Sequence, residues 1–509
     1  MLVASHPPGY DDAIGLLLAR IDYERVPPRG YRTREYKLDR MRDLLSRLDD
    51  PQRQLKVVHI AGTKGKGSTA AMLASMAAAA GLRVGAFTSP HLDRVEERIA
   101  INGEACSPLQ LVELVQDVRP VVEAMDIEAS RLTSTAEEAR GPTYFELTTA
   151  LALLHFARQQ VDLAVLEVGL GGRLDSTNVC QPLCTAITSI SYDHTRQLGN
   201  TLTKIAAEKA GIIKDGVPVV SGVTLPLVSK VIADRAAEHG AELVQRGADF
   251  DFTYHPPQDR GRREAAGELA GSRLPEGDRW CGSMDYRAGQ RGGGRSFARL
   301  RLSLPGRHQA ANAAVALALV GVLERQGFSF PESAIRQGLS STICPARIEL
   351  LQQHPTIVVD AAHNASSIES LVEVLDECFP VGDRALIFAS TVGKDLPGML
   401  NRLVPHFDQI FVTRYVNNPR GVPVEQLAVL VQRAAAAAGS RVQNVTVCHD
   451  PSTAWEAVQS SVPIDGLICV TGSFFIAAEM RRLIDPQAGR QACGLPVPVP
   501  PLPVASRDK

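Results

Sequence analysis

Residues Ile60–Leu73 read IAGTKGKGSTAAML, and the reading of that stretch decides the fold. The run before it, LKVVHIAG, has the β-branched density of a buried strand, and the Ala-rich run after it, STAAMLASMAAAAGL, has the composition of a helix ended by Gly81. A strand, a tight turn with glycines at 62, 65 and 67, then a helix gathers backbone N–H groups around an anion at the helix N-terminus. Lys66 adds a point charge for outer phosphates, and Ser68 and Thr69 are suited to cap the helix or to reach phosphate or metal. The general phosphate-loop spelling, G-x-x-x-x-G-K-[ST], would need glycine at position 60, where this chain has Ile60. The loop is therefore a variant, and the chemistry it serves has to be read from the rest of the chain.

Working outward, RVGAFTS, VDLAVLEV and CTAITSI read as further strands, each ending at a polar or glycine-containing turn and separated by helical stretches. That alternation implies a parallel sheet with crossover helices, whose ligands collect at the carboxyl ends of the strands. From about Tyr254 to Arg295 the chain turns Gly-, Arg- and Pro-rich and reads as a loop-rich or hairpin excursion. A basic nucleic-acid-binding insert is disfavoured there by interleaved acids and few aromatics. A second α/β pattern follows, with TIVVDAAHN, RALIFAS, QIFVTR, VTVC and GLICVTGS as its strands. The fold expected is α/β: an N-terminal P-loop ATPase-type parallel-sheet domain over 1–345, then a smaller doubly wound α/β domain over 346–485. A Pro-rich tail, 486–509, is expected to be extended or disordered.

Composition narrows the partners. The 509 residues are 45% hydrophobic and 22% charged with a formal charge of −2, so no global field argues for nucleic acid or an anionic membrane. The apolar runs are too short or interrupted to span a bilayer, and the N-terminus lacks the basic and apolar regions of a secretory signal. Nine scattered cysteines, with only Cys180 and Cys184 close together, fit free thiols in a reducing cytoplasm rather than a zinc site.

Polar residues cluster after the strands. Ser89 stands in TSPHL, and Glu146 in TYFELTTALAL is the only acid of an apolar, helix-like run, where it needs a partner or a metal. LEVGLGGRLDSTN places Glu167 at a strand end before Arg173, Asp175, Thr177 and Asn178, with glycines that allow close backbone approach. SYDHT supplies Asp193 and His194, a neutral-ring metal ligand by type. Lys209 in AEKAGI reads from spacing alone as a surface ion pair with Glu208. His308, Gln309 and Asn312 share a helix face; Arg347 lies near the domain junction; Asp360, His363 and Asn364 end a strand, where an acid suits a ribose hydroxyl.

Together these blocks resemble the folylpolyglutamate synthase/dihydrofolate synthase family of Mur-type ATP-dependent ligases. AGTKGKGST resembles its phosphate loop and LEVGLGGRLDSTN its second signature; TSPHL, TYFE, DHT, EKAGI, HQAAN, PARIE, VVDAAHN and VTGSFFIAAEM follow in family order over roughly residues 15–485. The resemblance implies an enzyme that phosphorylates a folate carboxylate with ATP and lets the amine of L-glutamate attack the acyl phosphate. It implies that Gly62, Thr63, Gly65, Lys66, Gly67 and Ser68 hold ATP phosphates, and that Asn312, Arg347 and Asp360 bind the nucleotide. Two Mg²⁺ ions are implied, the first on Ser89 and Glu146, the second on His194 and a carbamylated Lys209. A cytoplasmic monomer that uses reduced folate or dihydropteroate is expected.

The chain departs from the family pattern at Lys64, where many members have Asn, and in ARIDYERVPPRG, near the pteroate-binding segment. A Mur ligase acting on a UDP-sugar peptide is the nearest alternative, and a P-loop kinase or ATPase the next. The kinase has no evident use for Glu146, His194 and Lys209.

Overall fold

A computed structural model describes residues 6–22, 38–132, 141–257, 280–379, 382–439, 442 and 444–486. The larger sheet holds β1 (Val57–Ala61), β2 (Val84–Phe87), β3 (Ile99–Ile101), β4 (Glu104–Ala105), β5 (Leu163–Glu167), β6 (Pro182–Ile187), β7 (Val219–Ser221) and β8 (Leu243–Gln245). Their order is β4-β3-β2-β5-β1-β6-β7-β8, with β2 through β8 paired in parallel and β3 and β4 added antiparallel at one edge. All of VVHIA in β1 is buried because helices cover both faces. Val58 and Ile60 enter one core and Val57 the other, the alternation a strand imposes. β1 is thus central, and the loop that follows it opens at the middle of the sheet's carboxyl edge.

The helix Glu332–Ser341 crosses the Ala-rich helix Lys66–Ala79 closely because a glycine, Gly338, stands at the crossing. Gly338 lies against the Met76 backbone, and the Ser75 hydroxyl donates to the Gly338 carbonyl at 2.8 Å.

The excursion expected at 254–295 as a loop-rich or hairpin stretch holds, where it is described, antiparallel strand at 254–255 and 283–288 and a short helical turn at Gln290–Gly292. β9 (Phe250–His255), β10 (Ser283–Ala288) and β11 (Ser296–Arg301) form an antiparallel sheet in the order β11-β10-β9. Phe252, Tyr254, Tyr286, Phe297 and Leu300 bury in the same core as the helix Lys66–Ala79. Residues 258–279 lie outside the described set, as do 23–37, which include most of ARIDYERVPPRG, and the tail from 487.

The second sheet holds β12 (Glu349–Gln353), β13 (Thr356–Val359), β14 (Arg384–Phe388), β15 (Gln409–Val412), β16 (Asn444–Val447) and β17 (Leu467–Thr471), ordered β12-β13-β17-β14-β15-β16. All pairs are parallel except β12 with β13. Trp280, just before β10, stacks on Phe379 of the second domain with ring centroids 4.9 Å apart, and the Tyr254 hydroxyl donates to Glu377. No described helix is long and apolar enough to cross a membrane.

Candidate active site

Four neighbouring strand ends, those of β2, β5, β1 and β6, build the site. After β1 the chain turns through Gly62, Thr63, Lys64 and Gly65 into the helix Lys66–Ala79. Gly65 is the helix N-cap at φ 82°, a left-handed conformation that glycine adopts without penalty, and a Cβ there would strike the Asn312 side chain. Ser68 and Thr69, expected as caps, lie instead inside the first helical turn. On the β6 side, Thr63 N–H donates to the Ser189 carbonyl at 2.8 Å and Lys64 N–H to Ser189 Oγ at 3.0 Å. The Thr188 and Ser189 hydroxyls donate to the Lys64 carbonyl at 2.6 and 3.0 Å.

On the other side of β1, Glu167 ends β5 in register with Ile60. Its buried carboxylate accepts the Ser89 N–H at 3.1 Å and lies 4.0 Å from Lys66 Nζ. Burial pushes the Glu167 carboxyl up, against the pull of Lys66 and the Ser89 N–H. Ser89 follows β2, so β2, β5 and β1 bring a hydroxyl, a carboxylate and an ammonium to one point.

Glu146 is not brought there. It is the third residue of the helix Tyr144–Arg158 and forms a reciprocal cap with Thr143, whose N–H and hydroxyl donate to Glu146 Oε2 at 2.8 and 3.0 Å. Arg40 Nε donates to the same oxygen at 2.7 Å. These donors satisfy the buried charge, and Glu167 stands where Glu146 was expected beside Ser89.

Lys209 is buried under the loop rather than paired on the surface. Its Nζ donates to the Gly62 carbonyl at 2.8 Å, while Glu208 turns away to Arg173 at 2.9 Å. Burial, reinforced by the Lys66 charge, lowers the Lys209 pKa to about 7. The GLGGRLDSTN segment fixes this placement. Arg173 N–H donates to the Glu208 carbonyl at 2.9 Å, and Asn178 Nδ2 bridges the Arg173 and Gly211 carbonyls at 2.9 and 3.1 Å. Asp175 accepts from Leu170 N–H at 2.9 Å and Thr177 N–H at 3.0 Å, tying the segment's own turn. Much of the signature is thus a brace.

His194 follows β6 with φ 47° and a half-exposed side chain. Its neighbour Asp193 faces His194 Nε2 at 3.9 Å, His363 Nε2 at 3.8 Å and Lys394 Nζ at 3.8 Å. Burial opposes the Asp193 charge, but the pull of His363, His194 and Lys394 outweighs it and holds the carboxyl well below the usual range. His363 follows β13 and Lys394 follows β14, so one carboxylate joins the edges of both sheets. Lys394 escaped sequence reading because it sits in a short turn with no recognisable spacing.

The expected nucleotide residues converge on the same cleft. Asn312 donates to Gln309 at 3.0 Å from the first turns of the helix Arg307–Arg325, and burial keeps His308 neutral by lowering its pKa to about 4. The Arg347 guanidinium lies 4.7 Å over the Phe474 ring. Asp360 gives both oxygens to backbone, accepting from Ile348 and Ala362 N–H at 2.9 and 2.7 Å, so it is an anchor as it stands. The cleft between the sheets has a volume of about 2350 Å³. A site for one small ligand holds roughly 300–1,000 Å³, so this one has room for several.

Comparison with known proteins agrees with this geometry. Residues 60–249 match the Mur ligase middle domain, and 346–474 match the Mur ligase glutamate ligase domain. The dihydrofolate synthase/folylpolyglutamate synthase of Bacillus subtilis is 33% identical over 475 residues, covering 93% of this chain and 98% of that protein. Mycobacterium tuberculosis folylpolyglutamate synthase complexed with ADP and AMPPCP superposes with a TM-score of 0.77 at 29% identity, covering 94% and 98% of the two chains. Escherichia coli FolC in complex with DHPP and ADP gives 0.72 at 27%, covering 95% and 99%. The two domain matches and the near full-length coverage agree, and the chain belongs to the folylpolyglutamate synthase/dihydrofolate synthase family of Mur ligases.

Proposed function

We propose that this chain adds L-glutamate to a folate with ATP, through an acyl phosphate. The observation that carries the reading is the convergence of Lys66, Glu167, Ser89 and Lys209 on one phosphate loop, with a glutamate-ligase-type domain as the facing wall. The loop amides and Lys66 would hold the outer phosphates while a folate carboxylate oxygen attacks the γ-phosphorus and ADP leaves. The glutamate amine then attacks the acyl carbon and releases phosphate. Little covalent work falls to the protein; positioning and charge carry the rate.

The donors fit Mg²⁺. The Ser89 hydroxyl and the Glu167 carboxylate are hard oxygens beside the loop, and Mg²⁺ takes few protein ligands and completes its shell with phosphate and water. Bound there, Mg²⁺ would neutralise phosphate charge. Glu167, rather than Glu146, is therefore assigned with Ser89 to the first ion. His194 and Lys209 are kept for the second, Lys209 as a carbamate: an amine with a pKa near 7 is neutral often enough to take up CO₂. The apolar end of the cleft, lined by Tyr10, Leu17, Met41, Tyr144 and Phe145, suits a pteridine ring. A reducing, cytoplasmic compartment suits the free thiols of the described cysteines.

The test supplies ATP, Mg²⁺ and labelled glutamate with dihydropteroate, tetrahydrofolate or a UDP-sugar peptide as separate acceptors. Labelled folate product equal to the ADP formed is expected. ADP release without labelled folate, or label on the UDP-sugar peptide alone, would overturn the reading.

A further inference from the structure

Lys64 has no part in the chemistry above, yet its side chain is held in an uncommon state. Its backbone is fixed by Thr188 and Ser189 at three hydrogen bonds of 2.6–3.0 Å. Its Nζ is buried, and among the described residues it has no hydrogen-bond partner. The carboxylates in its field are Asp193, Glu369 and Asp360, and His308 faces it from the helix Arg307–Arg325. None of these acids is left for it: Asp193 faces His194, His363 and Lys394, Asp360 accepts two backbone N–H groups, and Glu369 is exposed on the helix Ala365–Cys378. A buried ammonium without a partner is unfavourable, and an anion entering the cleft relieves it.

The two loop lysines are held differently. The Lys66 ammonium leans toward Glu167 at the end of β5, whereas the Lys64 backbone is tied to the residues after β6 and its ammonium lies in the field of Asp193, Glu369 and Asp360. We propose that Lys64 is a second phosphate-binding cation of the loop, contacting the outer phosphoryl group of ATP in addition to Lys66. The inference rests on the nucleotide-binding part of the function above. Burial lowers the Lys64 pKa to about 8, which leaves the ammonium the majority form at neutral pH.

The test is calorimetric titration of wild type, Lys64→Met and Lys64→Arg with ADP and with AMPPCP in Mg²⁺, alongside thermal melts. In Lys64→Met, AMPPCP should bind about tenfold more weakly and ADP less than about twofold, the size expected for one charge-assisted hydrogen bond. Lys64→Arg should recover most of the AMPPCP affinity, with melting temperatures near wild type. Equal weakening of both nucleotides, or of neither, overturns the proposal. Lys64→Asn supplies the same comparison if the methionine variant does not fold. Because neither folate nor glutamate is present, a chain that binds nucleotide but fails to ligate overturns the ligase reading and leaves this result standing.

Discussion

Glu146 and Glu167 are both buried carboxylates lining one cleft, and their neighbours give them different work. Glu146 accepts from its own helix cap and from Arg40; Glu167 faces Lys66 and the Ser89 amide beside the phosphate loop. Glu167→Gln should therefore raise the Mg²⁺ needed for half-maximal ligation by at least the roughly 10–100-fold that outer-shell changes already cause at metal sites. Glu146→Gln should leave that midpoint in place and instead lower stability by about 1–3 kcal/mol, discounted because Arg40 is partly exposed. Mg²⁺ titrations of activity and urea melts of both variants check this; a shifted Mg²⁺ midpoint in Glu146→Gln would return the metal to that residue. The cap was legible, since T-Y-F-E has the capping-box spacing, but Arg40, 106 positions away, was not. Contacts of that range depend on how elements pack, which spacing does not encode.

At the scale of elements, β1 carries a load besides the loop. His59 in its middle is fully buried, and its Nε2 lies 2.8 Å from the Thr177 hydroxyl, which in turn donates to Asp175. Since the hydroxyl proton goes to Asp175, the imidazole is the donor at Nε2. Burial pushes its pKa down to about 3. The unfolded chain takes a proton on this histidine near pH 6.5 and the folded chain only near 3, so stability is fully present above 6.5 and falls as pH drops between them. The slope from this one group approaches about 1.4 kcal/mol per pH unit. Urea unfolding at pH 7 and 4.5 should show a smaller acid loss in His59→Gln than in wild type, even though the variant starts less stable; parallel losses would discard the account. The strands around β1 were readable from β-branched runs bounded by turns. The β9–β11 sheet was legible only as a loop-rich or hairpin excursion, because the Gly-, Arg- and Pro-rich run after β9 obscured the short alternation of Phe250, Phe252 and Tyr254.

Across the whole molecule, the two sheets meet at Asp193. Its carboxylate draws on His194 from its own loop and on His363 and Lys394 from two loops of the second sheet. Asp193→Asn keeps the shape and removes the charge, so both sheets should fold as before while the facing walls lose their common attraction. Ligation is expected to fall about tenfold, the scale of one or two kcal/mol of positioning, with ADP affinity within about twofold. Unaltered turnover, or lost ADP binding, would place the work of Asp193 elsewhere. The two-domain pattern was evident from two separate runs of strands, whereas the seam was not, because Asp193 and Lys394 become neighbours only after both sheets are assembled.

The chain has only two tryptophans, Trp280 and Trp455. Trp455 packs within the second domain, whereas Trp280 reaches across to stack on Phe379. An indole held by a ring on the opposite body is a built-in optical gauge. Any change in spacing between the bodies alters its polarity and quenching, so with Trp455→Phe as the background, stopped-flow emission can report any movement between them when nucleotide binds, without an attached dye.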